Sequence, residues 1–266
     1  MPAIEVGITI PGQGTEAETP EQLIVAAVQN FESLQRLNPR IVPRFISPNS
    51  FGIYPALVIS RVTSLETAVK MANDRSQLVI KAENTRVEQE LEPTGMMAIL
   101  QKDIAFVTRL VKKYDLEITN YNGPLLHVVG GIKSALNHIK EEIGGNAKIL
   151  AVEGVYHSRI RTPESCAYKE MLRDVFMEDP VAPMIVSTKP RIVREAQAIR
   201  DELSEQMRRS VNLNEAVALW GRMGVSAVID IGSSPTMRNM TGRLVRSGMR
   251  VLALSDPRDR EIIKAL

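Results

Sequence analysis

Apolar positions along the chain change period several times, and each change marks an element. Glu5 to Ile10 is a short apolar run closed by the tight turn Pro11-Gly12-Gln13-Gly14, which predicts a buried strand. Helical spacing follows, with Leu23, Ala27, Val28, Phe31 and Leu34 on one face. Thr19 as N-cap, Pro20 at the first helical position and Gln22 completing a capping box mark its start. A second apolar run, Ile41 to Ile46, predicts a strand. A helix is expected from Tyr54-Pro55-Ala56-Leu57, and another from about Leu65 to Lys81 with Thr63 and Glu66 as its capping box.

The stretch from Thr94 to Glu153 has its own order. Met96–Leu100 reads as a strand and Ile104–Tyr114 as an amphipathic helix. Leu116–Tyr121 and Leu125–Val129 read as strands around Asn122-Gly123-Pro124. Ile132–Ile143 reads as a helix closed by Gly144-Gly145, and Lys148–Val152 as a last strand. That β-α-β-β-α-β order predicts a ferredoxin-like unit. Alternation then resumes: helix Pro163–Met177, strand Pro183–Ser187, helices Ile192–Arg209 and Leu213–Met223, strand Ala227–Ile231, helix Pro235–Ser247 and strand Arg250–Leu254. Strands alternating with helices imply a largely parallel sheet covered on both faces. The expected architecture is α/β: a large core over 1–92 and 154–266, with a small ferredoxin-like subdomain inserted at 93–153.

Composition narrows the function classes. Among 266 residues, 33 basic and 31 acidic side chains leave a net charge of +2, which gives no indication of nucleic-acid binding and leaves local basic clusters free to face an acidic partner. The single cysteine, Cys166, excludes an internal disulfide and fits a reducing compartment. No apolar run reaches the roughly 18 residues of a membrane span. The opening Met1-Pro2-Ala3-Ile4-Glu5 lacks the basic and apolar regions of a signal peptide, so a cytoplasmic location is expected.

Pro48-Asn49-Ser50-Phe51-Gly52 lies between the strand Ile41–Ile46 and the helix at Tyr54. Strand, serine and helix in that order can present a hydroxyl at the top of a sheet, within reach of a histidine. Glycine follows the serine by two residues, but Pro48 stands where the elbow pattern has its other glycine. Three histidines are available. His127 sits in an apolar strand and reads as structural; His138 sits among Lys140, Glu141 and Glu142 and reads as a surface residue. His157 follows an apolar segment at a strand end, where active-site residues of open α/β sheets gather. Gly12-Gln13-Gly14 is too short for a dinucleotide fingerprint; its amides suit either a plain turn or an oxyanion. Arg75 is either a solvated helical arginine or a carboxylate fork. No His/Cys/Asp/Glu set has metal-ligand spacing, so no metal is expected.

Taken in order, these segments resemble the malonyl-CoA:acyl carrier protein transacylase family and the related acyltransferase domains of polyketide synthases. The resemblance rests on Pro11-Gly12-Gln13-Gly14, Asn49 to Leu57, Thr94-Gly95-Met96-Met97-Ala98 and Asn120 to Pro124. It continues through Gly154-Val155-Tyr156-His157-Ser158, Glu205-Gln206 with Val211, and Asp230-Ile231-Gly232-Ser233-Ser234. Arg75 lies 25 positions after Ser50, where the family has its substrate-binding arginine, and Gln206 lies 49 positions after His157.

The resemblance implies a hydrolase-like core and a two-step acyl transfer. Ser50 is then the nucleophile and His157 its base, with the backbone N–H groups of Gln13 and Phe51 holding the oxyanion. Arg75 pairs with the malonyl carboxylate, and the Gln206 backbone carbonyl orients the histidine. Tyr156 resembles the malonyl-type form of the histidine motif. Malonyl-CoA is a substrate rather than a cofactor, and no cofactor is implied. The acyl carrier protein of such a pathway is acidic, which makes Arg159, Arg161, Arg238 and Arg243 candidates for a docking face.

The chain departs from the family at three places. Pro48 replaces a glycine, Asn49 replaces the usual histidine beside the serine, and only 35 residues separate Gly14 from Ser50. Three readings follow: a malonyl transferase; a hydrolase whose more open cleft admits water; and a non-catalytic relative that binds coenzyme A thioesters or carrier protein.

Overall fold

The computed structural model describes residues 2–12, 19–245 and 247–266. Gln13 therefore lies outside the described residues. The chain forms a mixed α/β fold with two sheets. In chain order the first elements are β1 (Ile4–Ile10), α1 (Pro20–Leu37), β2 (Ile41–Pro48), α2 (Ile53–Ile59) and α3 (Leu65–Glu88). Then come β3 (Thr94–Leu100), α4 (Ile104–Lys113), β4 (Glu117–Gly123), β5 (Leu126–Ile132), α5 (Lys133–Ile143) and β6 (Ala147–Ile149). The remainder is α6 (Thr162–Leu172), β7 (Met184–Val186), β8 (Arg191–Val193), α7 (Ala196–Arg208), β9 (Val211–Asn212) and α8 (Leu213–Trp220). It closes with β10 (Ala227–Asp230), α9 (Thr236–Thr241), β11 (Arg250–Ala253) and α10 (Pro257–Ala265).

The large sheet has the order β11-β10-β1-β2-β7-β8. Every pair in it is parallel except the edge pair β7–β8. Side chains alternate between its faces with the period of two that strands impose. Ile229, Leu252, Met184 and Val186 pack on one side with residues of α1, α2, α3, α6 and α7. Val228, Val251 and Ile185 pack on the other against Trp220 of α8 and Met237 of α9. Burial on both faces explains why these strands read as unbroken apolar runs. The small sheet has the order β6-β3-β5-β4-β9, and α4 and α5 supply its apolar cover through Val107, Leu110, Leu136 and Ile139.

Several local readings need correction. The N-cap of α3 is Ser64, not Thr63: Ser64 Oγ accepts from Thr67 N at 3.1 Å. The helix also runs to Glu88, because no glycine or proline interrupts it before Pro93. Ile192 and Val193 are not helical. They form β8 on the sheet edge beside Met184 and Ile185, a pairing that suits β-branched side chains. α9 stops at Thr241, well short of the expected Ser247. The short strand β9 adds to the small sheet from outside 93–153, and α10 had no counterpart in the sequence reading. The capping box at Thr19 and Gln22 is present with both hydrogen bonds.

Candidate active site

The chain leaves the large sheet at Pro48, opposite Ile10 of β1. Proline is tolerated there because the strand ends, and the next amide, Asn49 N–H, donates to Ile10 O at 2.9 Å. Two side chains fix this end of β2. Thr9 Oγ1 donates to Ser47 O at 2.9 Å, and Trp220 Nε1 donates to Ser47 Oγ at 2.9 Å. A single 3₁₀ turn, Ser50–Gly52, then leads into α2. Ser50 is held at φ +50°, a left-handed conformation that costs an ordinary residue about 1 kcal/mol or more. Gly52 is required in this turn: a Cβ there would lie 2.6 Å from the carbonyl oxygens of Ile10 and Pro11. Asn49 is buried, and its Oδ1 has no partner among the described residues.

His157 reaches the same point from 107 positions away. Its Nε2 lies 2.6 Å from Ser50 Oγ. Its Nδ1 lies 2.5 Å from the backbone carbonyl of Gln206. That carbonyl belongs to the last turn of α7, where four C=O groups lack intrahelical donors. His157 Nδ1–H satisfies one of them, and Ser158 N–H donates to the next, Met207 O, at 3.3 Å. A carbonyl can only accept, so Nδ1 carries the proton and Nε2 is left to accept from the serine. The negative end of the helix also favours positive charge appearing on the ring. The side-chain amide of Gln206 points elsewhere, donating to Ser187 Oγ at 3.2 Å.

Burial, and after it the charge of Arg75, push His157 down to about 3, against the opposing pull of the Gln206 carbonyl. The ring is therefore neutral, the form a base requires, far into acid. Arg75 projects from α3 and is 3% exposed. Its guanidinium stacks over the Tyr156 ring at 4.1 Å and makes no ion pair among the described residues. Lys70, one turn earlier, takes Asp74 at 2.6 Å instead. A buried cation without a counter-charge is costly unless an anion arrives.

The other sequence candidates divide. Phe51 is the second residue of the 3₁₀ turn Ser50–Gly52, and N–H groups in the first turn of a helix have no intrahelical acceptor. His127 is buried in β5 with neither ring nitrogen hydrogen-bonded among the described residues, and His138 is exposed on α5. Arg161 is no docking residue: it is 1% exposed and paired with Glu83. Arg238 is engaged by Asp256 at 3.1 Å and Asp259 at 3.0 Å. Arg159 remains exposed, bonded to Glu117 at 3.2 Å, and Arg243 is exposed. Among the described residues no cluster could hold a metal ion, and no helix is long and apolar enough to cross a membrane.

No protein-family model matches the chain. It is 26% identical over 234 residues to the malonyl CoA-acyl carrier protein transacylase of Bacillus subtilis, covering 84% of this chain and 71% of that protein. A crystal structure of an acyl-carrier-protein S-malonyltransferase from Burkholderia pseudomallei superposes with a TM-score of 0.84 at 21% identity, over 99% of this chain and 100% of that one. A malonyl-transacylase solved in complex with its type II polyketide synthase acyl-carrier protein matches with a TM-score of 0.77 at 20% identity, over 98% of this chain and 99% of that one. The chain is thus similar in sequence to curated malonyl CoA-acyl carrier protein transacylases and shares its fold with the solved ones.

Proposed function

We infer that the chain transfers a malonyl group from malonyl-CoA to the phosphopantetheine thiol of an acyl carrier protein, through an acyl-Ser50 intermediate. The observation that carries this reading is a hydrogen-bonded Ser50–His157 pair beside a buried Arg75 that has no ion pair among the described residues. His157 Nε2 takes the proton of Ser50 Oγ as the oxygen attacks the thioester carbonyl. The oxyanion rests on the Phe51 N–H, with Gln13 as the second donor that the resemblance implies. Collapse breaks the C–S bond, and coenzyme A leaves as the thiol with the proton held by His157. In the second half the carrier thiol gives its proton to His157 and attacks the ester, and Ser50 is released as the alcohol. Arg75 binds the free carboxylate of the acyl group, which selects a dicarboxylic acyl chain. Proton and acyl transfer are the whole chemistry, so the reading needs no cofactor or metal, and it places the protein in the cytoplasm.

In the same reading the large sheet is a hydrolase-like core over 1–92 and 154–266, and 93–153 is an inserted ferredoxin-like subdomain. The strand order β6-β3-β5-β4 supports that description. A cavity of about 570 Å³ beside the small sheet is lined by Tyr121, Arg159, Lys189, Arg208 and Arg209. Glu117 and Glu215 line it too, Arg159 pairs with Glu117, and Arg208 and Arg209 pair with Glu205, so Lys189 is the basic residue there with no ion pair among the described residues and the one best suited to an acidic carrier protein.

The test is intact mass measurement after incubation with malonyl-CoA. A malonyl adduct on Ser50 that persists in buffer and discharges on adding holo acyl carrier protein is the expected result. Discharge to water at the same rate would make the protein a hydrolase, and no adduct at any pH would remove both enzyme readings.

The depressed His157 also dictates a pH profile. Because the neutral base survives to about pH 4, kcat/KM for acylation should stay flat from pH 8 down to about pH 5, with no inflection near 6.5. An inflection near 6.5 would show an ordinary, solvated histidine base. The same shift affects folding. The unfolded histidine binds a proton below about 6.5 while the folded one does not, so stability present above that pH is lost as pH falls toward 3.

A further inference from the structure

Between β2 and β7 the chain passes from the large sheet into the small sheet and back. It leaves the large sheet through Thr94, the first residue of β3, and returns through Gly154 and Val155, just before His157. One buried polar cluster holds both crossings. Glu83 of α3 accepts from Thr94 N at 2.7 Å through Oε2, and from Thr94 Oγ1 at 2.6 Å through Oε1. Arg161 Nη2 donates to Glu83 Oε1 and, at 2.8 Å, to Thr94 Oγ1. The cluster then grips both backbone groups of Val155. Val155 N–H donates to Thr94 Oγ1 at 2.9 Å, and Arg161 Nε donates to Val155 O at 2.8 Å.

Thr94, Arg161 and Glu83 are 0%, 1% and 7% exposed. The packing leaves no slack, since a Cβ on Gly154 would lie 2.7 Å from Arg161 Nη2 and 2.8 Å from Glu83 Cγ. Burial would raise the Glu83 carboxyl, but the Thr94 hydrogen bonds and the Arg161 guanidinium outweigh it and hold the group below its ordinary range, as a carboxylate. Buried ion pairs are often no more stabilising than apolar residues of the same volume, so stability alone does not account for this one.

Its location does. Val155 is two residues from His157, which sits at φ +58° and must place one ring nitrogen on Ser50 and the other on Gln206 O. Glu83 follows Arg75 on the same helix by eight positions. We propose that Glu83, Thr94 and Arg161 form a positioning network that sets the His157 backbone, and with it the base, in register with Ser50 and with the helix carrying Arg75. The proposal rests on the acyl-transfer reading for its substrate but not for its geometry.

Two readouts separate the two. One is malonyl loading of Ser50. The other is the rate at which a fluorophosphonate probe labels Ser50, which needs an aligned serine–histidine pair but no malonyl carboxylate. Thr94→Val removes the hydroxyl at nearly constant volume. It is expected to slow both reactions by about tenfold, with KM for malonyl-CoA changed less than about twofold, as a misaligned base requires. Thr94→Ser, which keeps the hydroxyl, should restore both rates to within about twofold of the parent. The double variant Glu83→Met, Arg161→Met should unfold near the parent temperature yet react as slowly as Thr94→Val. Parental rates with both probes in Thr94→Val and in the double variant would overturn the proposal. A parent that takes the fluorophosphonate but not malonyl-CoA, with slowed labelling in the variants, would sink the acyl-transfer reading and leave the network standing.

Discussion

His157→Ala is expected to slow malonyl loading of Ser50 by roughly 10³-fold to 10⁴-fold, the largest loss of any side chain except the serine itself. The reason is geometric and electrostatic together. Nε2 at 2.6 Å from Ser50 Oγ is the group placed to take the hydroxyl proton, and the acceptor behind the ring is a backbone carbonyl rather than a carboxylate. That arrangement gives the prediction its control. Gln206→Ala keeps the carbonyl and removes only an amide directed at Ser187, so it should cost less than about tenfold. Single-turnover loading, followed by quenching and mass measurement, checks both. Equal losses in the two variants would mean that the glutamine acts through its side chain.

Arg75→Ala is expected to lower kcat/KM for malonyl-CoA by about 10²-fold to 10³-fold while leaving acetyl-CoA nearly unaffected. Such a loss corresponds to roughly 3–4 kcal/mol, the range of a desolvated, charge-assisted pair. The guanidinium is already buried, stacked on Tyr156 and without an ion pair among the described residues, so no internal rearrangement precedes capture of a carboxylate. Removing the charge also removes one of the two causes that depress His157, so the variant's acid limb should move to higher pH. Measuring the malonyl-to-acetyl ratio against pH tests both statements. An unchanged ratio would return Arg75 to the role of a structural cation.

Much of this was readable along the chain, and the legible parts share a character. The capping box at Thr19 and Gln22 depends on residues three apart, and the apolar runs depend on alternation over a few positions. Ser50 and His157 stand out by motif and strand-end position, whereas the roles of Arg75 and Gln206 come from the resemblance to the transacylase family. The structure brings Ser50, His157 and the Gln206 carbonyl into one hydrogen-bonded line, with Arg75 close enough for its charge to act on the ring. The misreadings are equally particular. Ile192 and Val193 follow a helical pattern in sequence, but the free edge of β7 recruits them as a strand, and nothing within the segment announces that edge. Arg161 reads as a surface cation because its neighbours Arg159 and Thr162 are polar and exposed. Its partner Glu83 is 78 positions away.

By itself, then, the chain determined the order of most strands and helices, the elbow serine, the histidine after a strand end and the absence of an internal disulfide. These follow from local sterics and periodicity, which a sequence carries explicitly. The tertiary structure alone decided which cations are inside, which tautomer His157 adopts, and how Thr94 and Val155 are fastened together. Those are consequences of desolvation and of unsatisfied hydrogen-bonding groups. Both are set by what a residue meets across the fold, and not by what precedes or follows it.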